Sequence, residues 1–182
     1  PFKIQHKLAA THSLATSAFN FRYGFEAIDV IGKTDILFNS SIKAPNNTIN
    51  FFSYGNESAF DKSNGKKISF YRTRFNLIDA TLLLRTNIGS KFTLSAGPAY
   101  QYFSFDSAEN KNRFINQTNI NGLNSVSLNH SKSFAGLRII VGVDTRNNKA
   151  LPSRGINWQT SFTAYKGLNT FSNNFSQLSS DL

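Results

Sequence analysis

The stretch Phe92-Thr-Leu-Ser-Ala-Gly-Pro-Ala-Tyr-Gln-Tyr-Phe-Ser-Phe105 alternates with a period of two. Phe92, Leu94, Ala96, Pro98, Tyr100 and Tyr102 fall on one side, and Thr93, Ser95, Gly97, Ala99 and Gln101 on the other. Successive side chains of a strand point to opposite faces, so this pattern predicts a strand with one apolar and one polar face. The pattern recurs downstream. Ala135, Leu137, Ile139, Val141 and Val143 oppose Gly136, Arg138, Ile140, Gly142 and Asp144. Ile156, Trp158, Phe162 and Ala164 oppose Asn157, Gln159, Ser161, Thr163 and Tyr165.

It recurs upstream as well. Phe2, Ile4, His6 and Leu8 share a face, and Phe19, Phe21, Tyr23 and Phe25 oppose Asn20, Arg22, Gly24 and Glu26. Ile36, Phe38 and Ile42 form a short run that the turn formers Ala44-Pro45-Asn46-Asn47 are expected to end. A run from Ile49 to Tyr54 is closed by Gly55-Asn56, and Asn64-Gly65 signals a tight turn. In Ser69 to Leu77, Tyr71, Phe75 and Leu77 oppose Arg72, Arg74 and Asn76, and Ile78 to Arg85 reads as a further run. Asp106 to Ser133 is polar and Asn-rich, predicting a large loop or irregular hairpin, and the tail from Asn173 is weakly patterned. Residues 1–182 show no linker or repeat and read as one domain.

Composition agrees with an all-β chain. Of 182 residues 18 are Phe, and charged residues make up only 16%, below the ~25% usual for soluble domains. There is no Cys, which excludes disulfides, thiolate metal sites and a cysteine nucleophile. The longest charge-free stretch, Phe114 to Ser131, is too rich in Asn for a membrane helix. The chain opens on Pro1 and has no Met, so we read it as a processed or excised piece whose export signal is gone. The charge of +10 comes from 20 cations that are scattered, whereas nucleic-acid binding needs them clustered, so no nucleic-acid partner is expected.

Alternation alone fits either a soluble β-sandwich or a membrane barrel, since each buries one face and wets the other. Three features favour the barrel. Phe92–Phe105 and Phe134–Arg146 exceed the ~9–11 residues that a tilted membrane strand needs. Their polar faces carry small polar residues, Gly and occasional Arg or Asp, as a barrel interior would. Aromatics such as Tyr100, Tyr102 and Trp158 lie on the apolar face, some toward strand ends, as interfacial girdles do. The fold expected is an antiparallel transmembrane β-barrel, with Phe92, Leu94, Tyr100, Tyr102, Leu137, Ile139, Val141, Trp158 and Phe162 facing lipid. Arg72, Arg74, Arg138 and Asp144 are the candidate interior charges. The alternative is a soluble sandwich with a Phe-rich core, acting as a glycan- or protein-binding module.

The sharpest local motif is Asp144-Thr-Arg-Asn-Asn-Lys-Ala-Leu-Pro-Ser-Arg-Gly155. Asp144 and Arg146 share a strand face and can pair, Asn147-Asn148 opens a turn, Pro152 stiffens its exit, and Gly155 permits a positive φ or a crowded position. Here the chain resembles the bacterial surface antigen family, the BamA/TamA-type outer-membrane assembly barrels. Asp144, Arg146, Asn147, Pro152 and Gly155 match that family's Asp-x-Arg and Pro-x-x-Gly turn, and Arg154 fits a common variant. Gly32-Lys-Thr-Asp35, Ile42-Lys-Ala-Pro-Asn-Asn-Thr48 and Asn50-Phe-Phe-Ser-Tyr-Gly-Asn56 are similar to family barrels that follow a metallophosphoesterase domain. The family's Val/Ile-Arg-Gly-Phe/Tyr motif is absent, and its barrel of about sixteen strands exceeds what this chain supplies. The resemblance therefore implies a partial segment of a larger barrel.

Catalytic signatures are missing. His6, His12 and His130 are scattered and predict no metal site. There is no Gly-Lys-Ser/Thr phosphate loop, no Gly-x-Ser-x-Gly elbow and no suggestive carboxylate pair. No enzyme activity and no cofactor are expected. The resemblance implies an integral protein of the bacterial outer membrane that contacts its lipids, with unfolded outer-membrane client proteins and accessory assembly proteins as partners. Its implied role is protein assembly, insertion or translocation by strand templating. The alternative it implies is a barrel that anchors a metallophosphoesterase-type surface protein.

Overall fold

The structure is a computed structural model that describes residues 3–53, 60–61, 66–105, 107–117 and 129–182. Phe2, Tyr54, Gly55-Asn56, Asn64-Gly65 and Asp106 lie outside the described residues. The fold is all-β: one antiparallel sheet of eight strands paired strictly in chain order. They are β1 (Lys3–Ser13), β2 (Ala18–Ile31), β3 (Thr34–Asn50), β4 (Arg72–Ile88), β5 (Phe92–Ser104), β6 (Lys132–Asp144), β7 (Asn157–Gly167) and β8 (Phe175–Asp181). Among the described residues helix is confined to one turn, α1 (Ile68–Tyr71), and a 3-10 turn at Phe114–Asn116. Among the described residues there is no second sheet, so the two-layer sandwich is not the architecture.

The sheet curls, since Lys7 of β1, Asp79 of β4 and Gln177 of β8 all line one concave cavity of about 670 Å³. It does not close, because β1 and β8 each pair on one side only. One end has tight turns. Ile31 pairs with Thr34 around Gly32-Lys33, and Gly32 has φ 64°, a conformation that glycine adopts without steric cost. The opposite end carries the long connections between β3 and β4 and between β5 and β6.

Three boundaries depart from expectation. Ala44-Pro45-Asn46-Asn47 does not end a strand; β3 continues to Asn50 through a bulge between Lys43 and Asn47. Proline has no N–H to give to a ladder, and a bulge absorbs that loss. The Asn47 side-chain amide then donates to the Phe19 carbonyl at 2.7 Å. Ser69 to Tyr71 is helical, not extended, and the two runs expected on either side of Leu77 are one strand, β4. The weakly patterned tail contains β8, held by seven residue pairs to β7 from Tyr165↔Phe175 to Gln159↔Asp181.

Candidate functional site

Residues opposite one another in an antiparallel pair share a face, so register carries each face across the whole sheet. One row runs Ile4, Ala27, Ile36, Leu84, Ala96, Ile139, Phe162, Leu178. Apart from buried Ala27 and half-buried Ile36, this row is apolar and exposed: Leu84 is 52%, Ile139 46%, Phe162 45% and Leu178 70% accessible. Phe92, Leu94, Tyr100, Leu137 and Val141 are exposed on the same face. Tyr102 and Trp158 lie on it too, half-buried, and the Trp158 Nε1 donates to Ser180 Oγ at 2.9 Å.

The other face is mixed: Leu83, Ala99, Phe134 and Tyr165 are buried on it beside polar groups. One row runs Lys7, Gly24, Asn39, Thr81, Ala99, Gly136, Tyr165, and a neighbouring one Gly97, Arg138, Thr163, Gln177. Asp35, Thr81, Ser95 and Thr163 are buried here. Buried polar groups need partners, and Asp35 and Thr163 find them on this face. Arg85 of β4 donates to Asp35 of β3 through Nε at 2.9 Å and Nη2 at 2.7 Å, and Nη2 also pairs with Glu26 of β2. The remaining Asp35 oxygen accepts the Asp29 backbone N–H at 2.9 Å. Gln101 donates to Asp79 at 2.7 Å, and Arg138 to Thr163 at 2.8 Å. Gly136 leaves the space that Tyr165 fills, since a Cβ there would stand 2.8 Å from its ring.

The candidate interior charges divide. Arg138 and Asp144 lie on the concave face with Gly136 and Gly142. Arg72 and Arg74 do not join them. They alternate with Thr73, Phe75 and Leu77, which places them on the face of Ile78, Leu82 and Leu84. β4 runs unbroken through Leu77, and that continuity aligns both arginines with the apolar row. The pairing of Glu26, Asp35 and Arg85 is not visible in the sequence pattern alone. Their signal was the direct Asp35↔Arg85 opposition, which needs a register across a long connection.

The loop from Asp144 to Gly155 is a side-chain-stitched unit. Arg146 donates to both Asp144 oxygens, at 2.9 Å each. The Asn147 Oδ1 accepts the backbone N–H groups of Ser153 and Arg154, and the Asn148 Oδ1 accepts those of Ala150 and Leu151. Gly155 has φ 95°, and a Cβ there would lie 2.3 Å from the Thr145 carbonyl oxygen. Both constraints require glycine. Pro152 and Arg154 are exposed.

The histidines stand apart. His6 meets the Tyr23 hydroxyl at 2.9 Å, His12 stacks on Phe19 and His130 on Phe171. Among the described residues no group of three His, Cys, Asp or Glu is placed to hold a metal ion. Among the described residues no helix is long and apolar enough to cross a membrane, which says nothing of strands. In comparisons with known proteins no protein-family model matches the chain, and neither a curated protein nor a solved structure is similar to it.

Proposed function

We propose that the chain is a wall segment of a transmembrane β-barrel in a bacterial outer membrane, with its convex face in lipid and its concave face toward the interior. The observation that carries this reading is the exposure of a large apolar convex face. Large apolar side chains on every strand from β1 to β7 are exposed, while Asp35, Thr81, Ser95 and Thr163 are buried. In water a continuous apolar surface beyond a few hundred Å² is an association or aggregation site. Against acyl chains it is the solvated state, and the interior is then where polar groups belong. The run from Ala135 to Val143 also approximates the ~9–11 residues that a tilted membrane strand requires.

The role is non-enzymatic. The barrel works in the assembly or translocation of outer-membrane proteins, its unpaired edges templating strands of a client by main-chain hydrogen bonding. The unpaired sides of β1 and β8 support this reading. The second reading is a barrel that anchors a metallophosphoesterase-type surface protein, favoured by the Gly32–Asp35 and Ile42–Asn56 similarities.

Trp158 is the sole tryptophan and lies on the convex face, so its fluorescence tests the reading directly. The chain is refolded into vesicles that contain phosphatidylcholine brominated along its acyl chains. Strong quenching is expected. Emission unchanged by brominated lipid, from a chain that remains monomeric without detergent, overturns the proposal.

A further inference from the structure

We infer that Arg72, Arg74 and Arg113 form a site for the phosphate headgroup of a membrane lipid, at the rim of the sheet that carries the long connections. The inference rests on the membrane reading, since it needs an acyl-chain boundary below the site. Arg72 and Arg74 begin β4 and share the face of Ile78, Leu82 and Leu84. From Arg74 to Ile78 is about 13 Å of strand at ~3.3 Å per residue. Arg72 and Arg74 thus lie on the strand just past the end of the apolar row, where a lipid's polar head meets its tails.

Arg113 is brought there by packing. Its neighbour Phe114 lies against Tyr71, Phe70 and Phe51, with ring centroids 5.1, 5.9 and 6.1 Å away. That cluster ties the connection after β5 to the start of β4. The Asn110 side chain completes the join, with Oδ1 accepting the Arg74 backbone N–H at 2.7 Å and Nδ2 donating to its carbonyl at 3.0 Å. Arg113 Nη1 donates to the Arg72 carbonyl.

Three cations are therefore held together. Among the described residues none of the three makes an ion pair with a carboxylate. The Arg74 Nε is out of contact with solvent and has no hydrogen-bond partner. Burial, then the like charges of Arg74 and Arg72, push the Arg113 guanidinium below its ordinary value. Such an arrangement is relieved by a multivalent anion with several acceptor oxygens. A phosphomonoester carries about −1.5 to −2 charge and three strong acceptors, and guanidinium groups meet phosphate oxygens in paired, charge-assisted bonds.

The test measures retention of a diphosphorylated glycolipid by the full chain in zwitterionic detergent micelles, read by native mass spectrometry. Retention in micelles does not require insertion into a bilayer. Arg72→Gln/Arg74→Gln is compared with the parent chain, since it preserves the Arg113 bond to the Arg72 backbone carbonyl. A fall of roughly tenfold or more is expected, with Trp158 quenching by brominated lipid unchanged. Equal retention by both chains overturns the site. Displacement of the lipid by equimolar inorganic pyrophosphate overturns the lipid as its source and leaves a free-anion site. Failure of the membrane reading is separately visible, as Trp158 unquenched in the parent and the variant alike.

Discussion

Asp35 of β3 and Arg85 of β4 stand directly opposite one another in register, and the arginine bridges that nearly inaccessible carboxylate to Glu26 of the next strand. Three consecutive strands are thus pinned at one level on the concave face. Asp35 spends both oxygens inside the protein, one on Arg85 and one on the Asp29 backbone. Removing the cation leaves an uncompensated buried charge, which is costlier than losing a surface pair.

Arg85→Gln is therefore expected to destabilise by about 2–3 kcal/mol, below the ~3–5 kcal/mol of a fully buried pair because the Arg85 side chain is 27% accessible. Asp35→Asn in the Arg85→Gln background should recover part of that loss, because it removes the stranded charge. Urea titration of the parent, the single variant and the double variant, followed by heat-dependent electrophoretic mobility, measures both. A double variant no more stable than Arg85→Gln would show that the charge is not the cause.

Ile139 and Ile140 are neighbours of identical chemistry on opposite faces. Ile139 is 46% exposed in the apolar row, and Ile140 faces Ser95 and Ser161 across the concave side. In lipid, Ile139→Lys should cost ~2–4 kcal/mol at midplane depth, and Ile140→Lys much less. In water the order reverses, since a lysine at an exposed position is nearly neutral. Refolding yield into vesicles decides between them.

Gly155→Ala should loosen the loop between β6 and β7. The φ of 95° and the Cβ placed 2.3 Å from the Thr145 oxygen predict a cost of ~1–3 kcal/mol. Faster proteolytic cleavage between Thr145 and Ile156, with β-sheet circular dichroism preserved, is the expected result. Asn147→Ala should act in the same direction, because it strips both backbone N–H groups that Asn147 Oδ1 holds.

Hydrogen exchange reads the edges. In an antiparallel pair alternate amides point away from the partner, so every second amide of β1 and of β8 should exchange quickly while Leu77–Thr81 and Leu84–Thr86 of β4, paired on both sides, are protected. Uniform protection along β1 would mean that its outer edge is covered in solution.

Strand faces were legible wherever two neighbours differ sharply in polarity, as at Leu137 and Arg138 or Val141 and Gly142. The stitched loop was legible too, because Asp144, Arg146, Asn147 and Gly155 act through contacts local in sequence. β8 was not. Phe175 lies on the concave face and Leu178 on the convex one, so no period of two appears, and its extension comes from pairing with β7. The Glu26–Asp35–Arg85 cluster was hidden for another reason. The β2–β3 register slips between Ala27 and Ile31, and the β3–β4 register is set across a long connection. Arg72 and Arg74 share the apolar row because β4 runs on through Leu77, where the period-two pattern changes phase.

Eight is an even number, and that constrains any neighbour. β1 and β8 travel in opposite directions, so an even number of strands added between them keeps every adjacent pair antiparallel. An odd number would force one seam of parallel strands, whose bonds are slanted and slightly weaker. For any set of strands that joins β1 to β8, the arithmetic of direction favours hairpins, two strands at a time.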